Sequence, residues 1–236
     1  MTIEYWKEVK ERLVAIRKID CDCNLVFGSK GHKYKPLGSV SQEEIKSFQV
    51  ENGMDLPRDY RDFLLVVGGG PGPDYGIYSF EKVKSYSPNV SRVFSLTEST
   101  EWPESEDDPI WDLPGLLNIS TSGCAIDWYI EVNGSQPGTM WVDSGPGWEL
   151  TKADSFINWY SSWLNRIEKG LLDYVELKKM VKSKSKLSDI ESKLNIESKN
   201  FKWDGFEYKR FGGIPGRLTL KGDRVVSMDL GPCWIN

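Results

Sequence analysis

The sequence predicts an α+β protein with a central, largely antiparallel sheet, helices before the sheet and a closing helix after it. Apolar residues recur at helical spacing in three stretches of the first 70 residues and again from residue 156. Between them, residues 116–119, 126–132 and 139–142 are short runs rich in aromatic and branched side chains, which are typical of strands. Asn133-Gly134 favours a hairpin turn between the last two runs, so we predict antiparallel pairing there.

The first helix is predicted from an apolar stripe made by Trp6, Val9, Leu13 and Ile16. Residues 21–38 lack periodicity and are rich in glycine, which predicts a turn or a weak hairpin. Ser41 and Glu44 form a capping box, in which each side chain bonds a backbone amide, and open a second helix. Gly53 ends it.

Residues 56–78 predict a helix, a glycine turn and a strand. Pro57 suits the first turn of a helix, whose buried positions would be Tyr60, Phe63, Leu64 and Val67. Gly68, Gly69 and Gly70 stop this helix, because glycine adopts the left-handed cap without strain, and a strand is predicted over residues 75–78.

The middle of the chain is less regular. Residues 80–96 predict a short helix or loop followed by a strand, and residues 98–112 have the composition of a surface loop. The closing helix would cover one face of the sheet with Phe156, Tyr160, Trp163, Leu164 and Ile167.

Several of these spacings agree with one known family. Ile45, Phe48, Gly53, Leu56 and Pro57, then Asp59-Tyr60-x-x-Phe63-Leu64, and finally Ser155-Phe156-x-x-Trp159 are similar to its motifs. Over residues 37–167 the chain therefore resembles the SUKH superfamily, in particular its Smi/Knr-like branch, whose SUKH-like sheet fits the predicted class. Gln49 and Gly68 depart from the Glu and Asn that are usual at those positions.

The resemblance ends near Gly170, so we predict a SUKH/Smi-Knr-like domain over residues 1–170 and a small α+β appendage over residues 171–236. Lys178, Lys179, Lys182, Lys184 and Lys186 predict a basic linker. A helix over 187–194, a strand over 201–208 and a hairpin over 218–226 would follow. A unit of about 65 residues is marginal on its own core, so it should pack on the main domain.

Charge is distributed unevenly along the chain. Residues 93–151 contain 11 acidic side chains and no Lys, Arg or His, whereas the preceding part has a net charge of +1 and the following part +5. Such a block marks the first place to look for a functional surface.

Composition argues against several classes of protein. No apolar run approaches the roughly 20 residues of a membrane span, and the charged start is unlike a secretory signal, so we expect a cytoplasmic protein with reduced thiols. The single histidine, His32, weakens any catalytic triad and is expected to be solvated. Cys21, Cys23 and His32 match no structural zinc pattern well, and residues 68–72 lack the Lys-Ser/Thr of a phosphate loop. We therefore expect no metal and no cofactor.

The acidic loop is the candidate partner-binding site. It lacks the glycine and ordered spacing of a calcium loop, and it is unlike the two opposed carboxylates of a glycosidase. It is either a solvated loop or an interface, and tryptophans beside charge favour an interface. The predicted partner-binding residues are Glu98, Glu101, Trp102, Glu104, Glu106, Asp107, Asp108, Trp111 and Asp112.

Resemblance to bacterial SUKH proteins implies an immunity protein that binds and neutralises a polymorphic toxin, commonly a nuclease or nucleic-acid deaminase. An acidic surface suits this, because a toxin that grips nucleic acid is positively charged at its site. The alternatives are a regulatory or scaffold protein of the Smi/Knr type, and a hydrolase using Asp127, Glu131 and Asp143. We expect a monomer or weak dimer that binds a basic protein toxin and contacts neither nucleic acid nor membrane.

Overall fold

Seven α-helices and two antiparallel sheets make up the part of the chain that the structure describes. The structure is a computed structural model, and it describes residues 3–101, 108–144, 149–203, 206–214 and 216–229. The helices are α1 (Ile3–Ile19), α2 (Ser29–His32), α3 (Gln42–Asn52), α4 (Arg58–Val66), α5 (Phe80–Ser85), α6 (Phe156–Lys182) and α7 (Leu187–Leu194), with a 3-10 helix at Pro109–Asp112.

The first sheet has five strands in the order β1-β5-β4-β3-β2, and the second has four in the order β6-β7-β8-β9. The first contains β1 (Thr100–Glu101), β2 (Leu116–Gly123), β3 (Ile126–Glu131), β4 (Thr139–Asp143) and β5 (Glu149–Ser155). The second contains β6 (Ser198–Trp203), β7 (Phe206–Phe211), β8 (Arg217–Lys221) and β9 (Arg224–Asp229). The predicted α+β class is confirmed.

Helices α1, α4 and α6 meet around a cluster of buried aromatic rings. The ring of Trp6 packs edge to face on Phe63, with centroids 5.1 Å apart, and on Tyr160 at 5.4 Å. All three side chains are fully buried, as their helical spacing predicts. Pairs of this kind contribute about 0.5 to 1.5 kcal/mol each beyond the burial of their area.

The glycine turn after α4 has a steric cause. Gly68 has a φ of 75°, and a Cβ added there would lie 1.5 Å from the carbonyl oxygen of Gly38. Only glycine therefore lets these two backbone segments pass each other. The hydroxyl of Tyr160 donates to the carbonyl of Pro71 at 2.9 Å and ties the turn to α6.

The strand predicted over residues 75–78 is wrong. Of residues 75–78, only Ile77 forms β-bridges, and these are isolated bridges to Gly70 and Ser120. Gly76 just before it has a φ of 91°, which takes the backbone out of the extended region.

The predicted capping box is half formed. The hydroxyl of Ser41 accepts from the N–H of Glu44 at 3.1 Å, as expected, but the Glu44 carboxylate accepts from Lys84 Nζ at 3.0 Å. The ion pair links α3 to α5. Gly53 ends α3 with a φ of 62°, as predicted.

The five-stranded sheet buries both faces, but unequally. On its helix face, buried residues join the main core with the helices, namely Leu117, Ile119, Ile130 and Met140. On the opposite side, called the outer face below, a second and smaller cluster is formed by Phe94, Ile110, Leu116, Tyr129, Trp141 and Leu150. Residues 86–99 contain no strand, contrary to prediction; within them, Phe94 packs across the outer face.

Strand β5 was not predicted. Its sequence, ELTKADS, carries few aromatic or branched residues, so its local strand signal is weak. Pairing with β4 on one side and β1 on the other stabilises it as a strand.

Helix α6 links the two sheets. It runs unbroken to Lys182, so the basic linker predicted at Lys178, Lys179 and Lys182 is wrong. Buried residues on its later turns continue the helical stripe, while the lysines occupy exposed positions. These buried residues share one core with the second sheet, namely Leu171, Tyr174 and Leu177 with Phe211, Leu218 and Val225. The boundary predicted between residues 170 and 171 lies inside α6, and the division into two domains stays a prediction.

The second sheet differs from the predicted one in a single detail. Residues 201–208, expected to form one strand, are divided between β6 and β7, which pair antiparallel. Helix α7 and the hairpin of β8 and β9 lie where the sequence predicts them. None of the helices in the described ranges is both long and apolar enough to cross a bilayer.

Candidate functional site

Two pairs of carboxylates lie at one end of the five-stranded sheet, in adjacent rows whose side chains point to opposite faces. Asp127 on β3 lies directly opposite Asp143 on β4. In the next row, Glu149 on β5 lies directly opposite Glu101 on β1. We call these four residues the acidic end.

Like charges facing each other across strands oppose folding. Directly opposite side chains lie about 4.5 to 5.5 Å apart at Cβ, and a like-charge pair is destabilising. Glu101, Asp127 and Glu149 make no ion pair within the described residues. For these three carboxylates, the described residues supply no ion pair that would offset the repulsion.

The acidic segment is anchored to the outer face beside this end. The ring of Phe94 packs edge to face on Trp141, with centroids 4.9 Å apart. The backbone N–H of Phe94 donates to the carbonyl of Asn133 at 2.7 Å. Ile110 of the 3-10 helix joins the same cluster from the other end of the segment. Residues 93–101 and 108–113 are thus held on the sheet at both ends of the acidic loop.

Glu131 occupies a buried position in this region. Its carboxylate accepts from the N–H of Gln136 at 2.6 Å and from Trp141 Nε1 at 3.2 Å. A Cβ at Gly134 would lie 2.3 Å from its Oε1, so the glycine makes room for the carboxylate. Of the three carboxylates considered for hydrolysis, Asp127 and Asp143 lie together, while Glu131 holds the β3–β4 loop.

Two cations at the borders of the acidic block already have partners. Arg92 pairs with Asp112 at 2.5 Å, and Lys152 pairs with Glu98 at 3.2 Å while donating to the carbonyl of Thr97 at 2.7 Å. Of the predicted binding residues, Glu98 and Asp112 therefore fasten the segment to the fold.

The remaining predicted binding residues have different positions. The carboxylate of Asp108 caps the 3-10 helix by accepting from the N–H of Ile110 at 3.0 Å. Glu101 belongs to the acidic end. Trp102, Glu104, Glu106 and Asp107, together with the side chain of Trp111, lie outside the described residues, so their role stays a prediction.

Two tyrosines near the acidic end stay neutral. Burial, together with the nearby charge of Asp127, raises the pKa of Tyr129 and of Tyr78 above the usual value. Their phenols therefore keep their protons at neutral pH, so each can donate a hydrogen bond.

His32 is buried, so the prediction that it is solvated is wrong. Its Nδ1 accepts from the N–H of Tyr34 at 3.0 Å, and its ring packs edge to face on Trp163. Burial lowers the pKa of His32 to about 4. Cys23 is buried beside Arg17, which donates to its Sγ at 3.0 Å, whereas Cys21 is exposed. Across the described ranges, no three His, Cys, Asp or Glu side chains are grouped as metal ligands would be.

Comparison with known families gives the chain its place. Residues 39–166, more than half of the chain, match the model of the SMI1 / KNR4 family (SUKH-1). The chain belongs to the SMI1/KNR4 (SUKH-1) family. The family match includes α3, α4, the five-stranded sheet and the first turns of α6, which together carry the acidic end. No curated protein matches this SUKH-1 chain.

The sequence indicated the acidic block of this SUKH-1 protein but missed the pairing within it. Asp127 and Asp143 were visible as acids on predicted strands, yet their register depends on the exact hairpin. Glu149 lies on β5, which has no clear strand pattern. A strand prediction for residues 149–155 would have been the signal that completes the site.

Proposed function

We propose that this protein is a cytoplasmic immunity protein, which binds a bacterial toxin and neutralises it without catalysing a reaction. The toxin would be a basic protein, a nuclease or a nucleic-acid deaminase. Membership of the SUKH-1 family, which is known for immunity proteins, supports the class. The acidic end supports the proposal that the contact surface for a basic toxin is acidic.

One observation carries the proposal: carboxylates of neighbouring strands face each other in two successive rows. Folding alone disfavours this arrangement, whereas a basic partner converts the repulsion into attraction on binding. Proteins commonly retain such destabilising groups where function needs them. The toxin's cationic nucleic-acid site is the expected contact.

The proposal is tested with the toxin encoded beside this protein's gene. The full chain and the toxin are expressed together, and complex formation and loss of toxin activity are measured. Tight binding with inhibition is expected. A folded chain that neither binds this toxin nor protects cells from it would refute the proposal.

Charge removal identifies the surface. Glu101→Gln, Asp127→Asn, Asp143→Asn and Glu149→Gln, combined in one variant, should lower the association rate steeply at low ionic strength and less at high salt. A matched control removes four exposed acids elsewhere by Glu8→Gln, Glu11→Gln, Glu51→Gln and Glu81→Gln. Equal effects of both variants would show that only net charge matters.

The acidic loop is tested separately. Trp102→Ala or Trp111→Ala should increase the dissociation rate, since an aromatic hot spot contributes roughly 2 kcal/mol or more. Reversing Glu104, Glu106, Asp107 and Asp108 to Lys should instead slow association. If neither change alters binding while the protein stays folded, the loop is a solvated surface.

A further inference from the structure

An open groove lies on the helix face of the sheet, away from the cluster on the outer face. Its volume is about 450 Å³, which is within the range of known ligand sites. Four separate parts of the chain line it: the loop before α2, the glycine turn, β3, and the junction of β5 with α6. The residues that matter here are Phe27, Asp74, Trp128, Asp154, Trp159 and Arg166.

Two indole rings form the wall of the groove. Trp128 and Trp159 contact each other with centroids 5.1 Å apart and planes at 43°. Both are only partly buried, so aromatic surface remains open to a ligand. The Trp128 Nε1 donates to Ser122 Oγ at 2.9 Å, which fixes the orientation of that indole.

Two carboxylates are held beside this wall. The Ser122 hydroxyl, which accepts from Trp128, donates its own hydrogen to Asp74. Asp154 accepts from Asn158 Nδ2 at 3.0 Å and from the N–H of Ser155 at 2.6 Å. The hydrogen bonds from Asn158 and Ser155 hold the pKa of Asp154 below its usual value. Both acids are oriented by groups of the protein before any ligand arrives.

We propose that this groove receives an arginine side chain of the protein partner. A guanidinium stacks on indole faces and donates through a planar fork, which suits two carboxylates better than the single ammonium of lysine. Arg166 also lines the groove, from the exposed side of α6, and would repel a second cation. The partner's guanidinium should therefore bind on the side of Asp74 and Asp154. The identity of the partner rests on the proposed function, but the chemistry of the groove does not.

The first test uses a small probe and the full chain without any toxin. N-acetylarginine amide is titrated while the tryptophan indole N–H signals are followed by NMR, with Trp159→Phe used for assignment. The signals of Trp128 and Trp159 should shift saturably. N-acetylcitrulline amide, which has the same shape without the charge, should bind at least about fivefold more weakly.

Isosteric variants test the carboxylates. Asp74→Asn keeps an oxygen that can accept from Ser122, so this variant should fold. Asp154 is exposed, so Asp154→Asn should also fold. Each should weaken binding of the arginine probe, while Glu51→Gln, at an exposed position of α3 outside the groove, should not. Equal binding of arginine and citrulline probes, no shift of either indole, or preferential binding of N-acetylaspartate amide through Arg166 would overturn the proposal.

The second test uses the toxin and separates this inference from the proposed function. Asp74→Asn combined with Asp154→Asn should raise the dissociation rate about tenfold, because a buried, hydrogen-bonded charge pair acts mainly on dissociation. If the toxin fails to bind but the arginine probe still shifts both indole signals, the proposed function is wrong, while arginine binding in the groove is supported. If toxin binding is unchanged in the double variant, the groove is not the arginine site of that complex and the inference is wrong.

Discussion

The two faces of the five-stranded sheet are covered by different parts of the chain. The helix face packs against the main core, where rings from α1, α4 and α6 are fully buried. The outer face is covered by a short segment, through a cluster of six buried residues, and opposing carboxylates lie at its end. The helix face, with its larger buried core, offsets the cost of facing like charges on the outer face.

The largest effect should follow from damage to the helix face. Leu64 is completely buried, so Leu64→Ala should lower the free energy of unfolding by about 2 to 5 kcal/mol. Leu172→Ala makes the same chemical change at a position that is 57% exposed, and it should stay within about 0.5 kcal/mol of the parent. Denaturant titration of both variants measures the difference. A loss below half a kcal/mol for Leu64→Ala would contradict the packing.

Acid should lower the free energy of unfolding through His32, which packs against α6. Its pKa is about 4 in the folded protein and about 6.5 when unfolded, so between these values the unfolded chain binds more protons. The contribution of neutral His32 to the free energy of unfolding is fully present above pH 6.5. It falls by about 3 kcal/mol as the pH drops to 4. Because His32 is the only histidine, its NMR signal needs no assignment by mutation. A titration midpoint near 6.5 would disprove its burial.

A smaller loss is expected on the outer face. Glu131→Gln places an amide where two N–H donors now meet a carboxylate, and one mispaired buried group costs about 1 to 3 kcal/mol. Glu51→Gln, at an exposed position, is the control for the same substitution. Denaturation followed by tryptophan fluorescence reports both variants. Equal stability of the two would mean that Glu131 is not holding the loop.

The smallest effect should have the opposite sign. Asp127→Asn removes one of two facing charges and should raise the free energy of unfolding by about 0.2 to 1 kcal/mol. Asp22→Asn changes the net charge equally at an exposed site in a different part of the fold. A gain in stability for Asp127→Asn together with slower toxin association would support the comparison. Destabilisation would show that Asp127 contributes to folding.

Local patterns allowed the helices to be predicted, because their apolar residues repeat within a few positions. The stripe of Trp6 and its neighbours, the cap at Ser41 and the whole of α7 are confirmed by the structure. Features that depend on distant partners were missed. β5 is stabilised by pairing with β4 and β1, and β2 reaches β3 through the two left-handed residues Cys124 and Ala125, which are unusual in such a turn.

The same limit applies to the candidate sites. Composition showed that residues 93–151 are acidic, since charge can be counted without a structure. It could not show that Asp127 faces Asp143, or that Asp74 and Trp128 share one serine hydroxyl across 48 and 6 positions of sequence. His32 was misjudged because its polar neighbours in sequence are not its neighbours in space.

The continuity of α6 has a consequence for how the chain melts. A helix of 27 residues spans about 40 Å, and its first turns pack on the five-stranded sheet while its last turns pack on the four-stranded one. Unfolding either end removes the apolar support of the other, so both sheets should unfold in one transition and absorb heat together. Differential scanning calorimetry of the full chain should then give one peak, and shortening the chain to residue 170 would cut through the helix that couples the two halves.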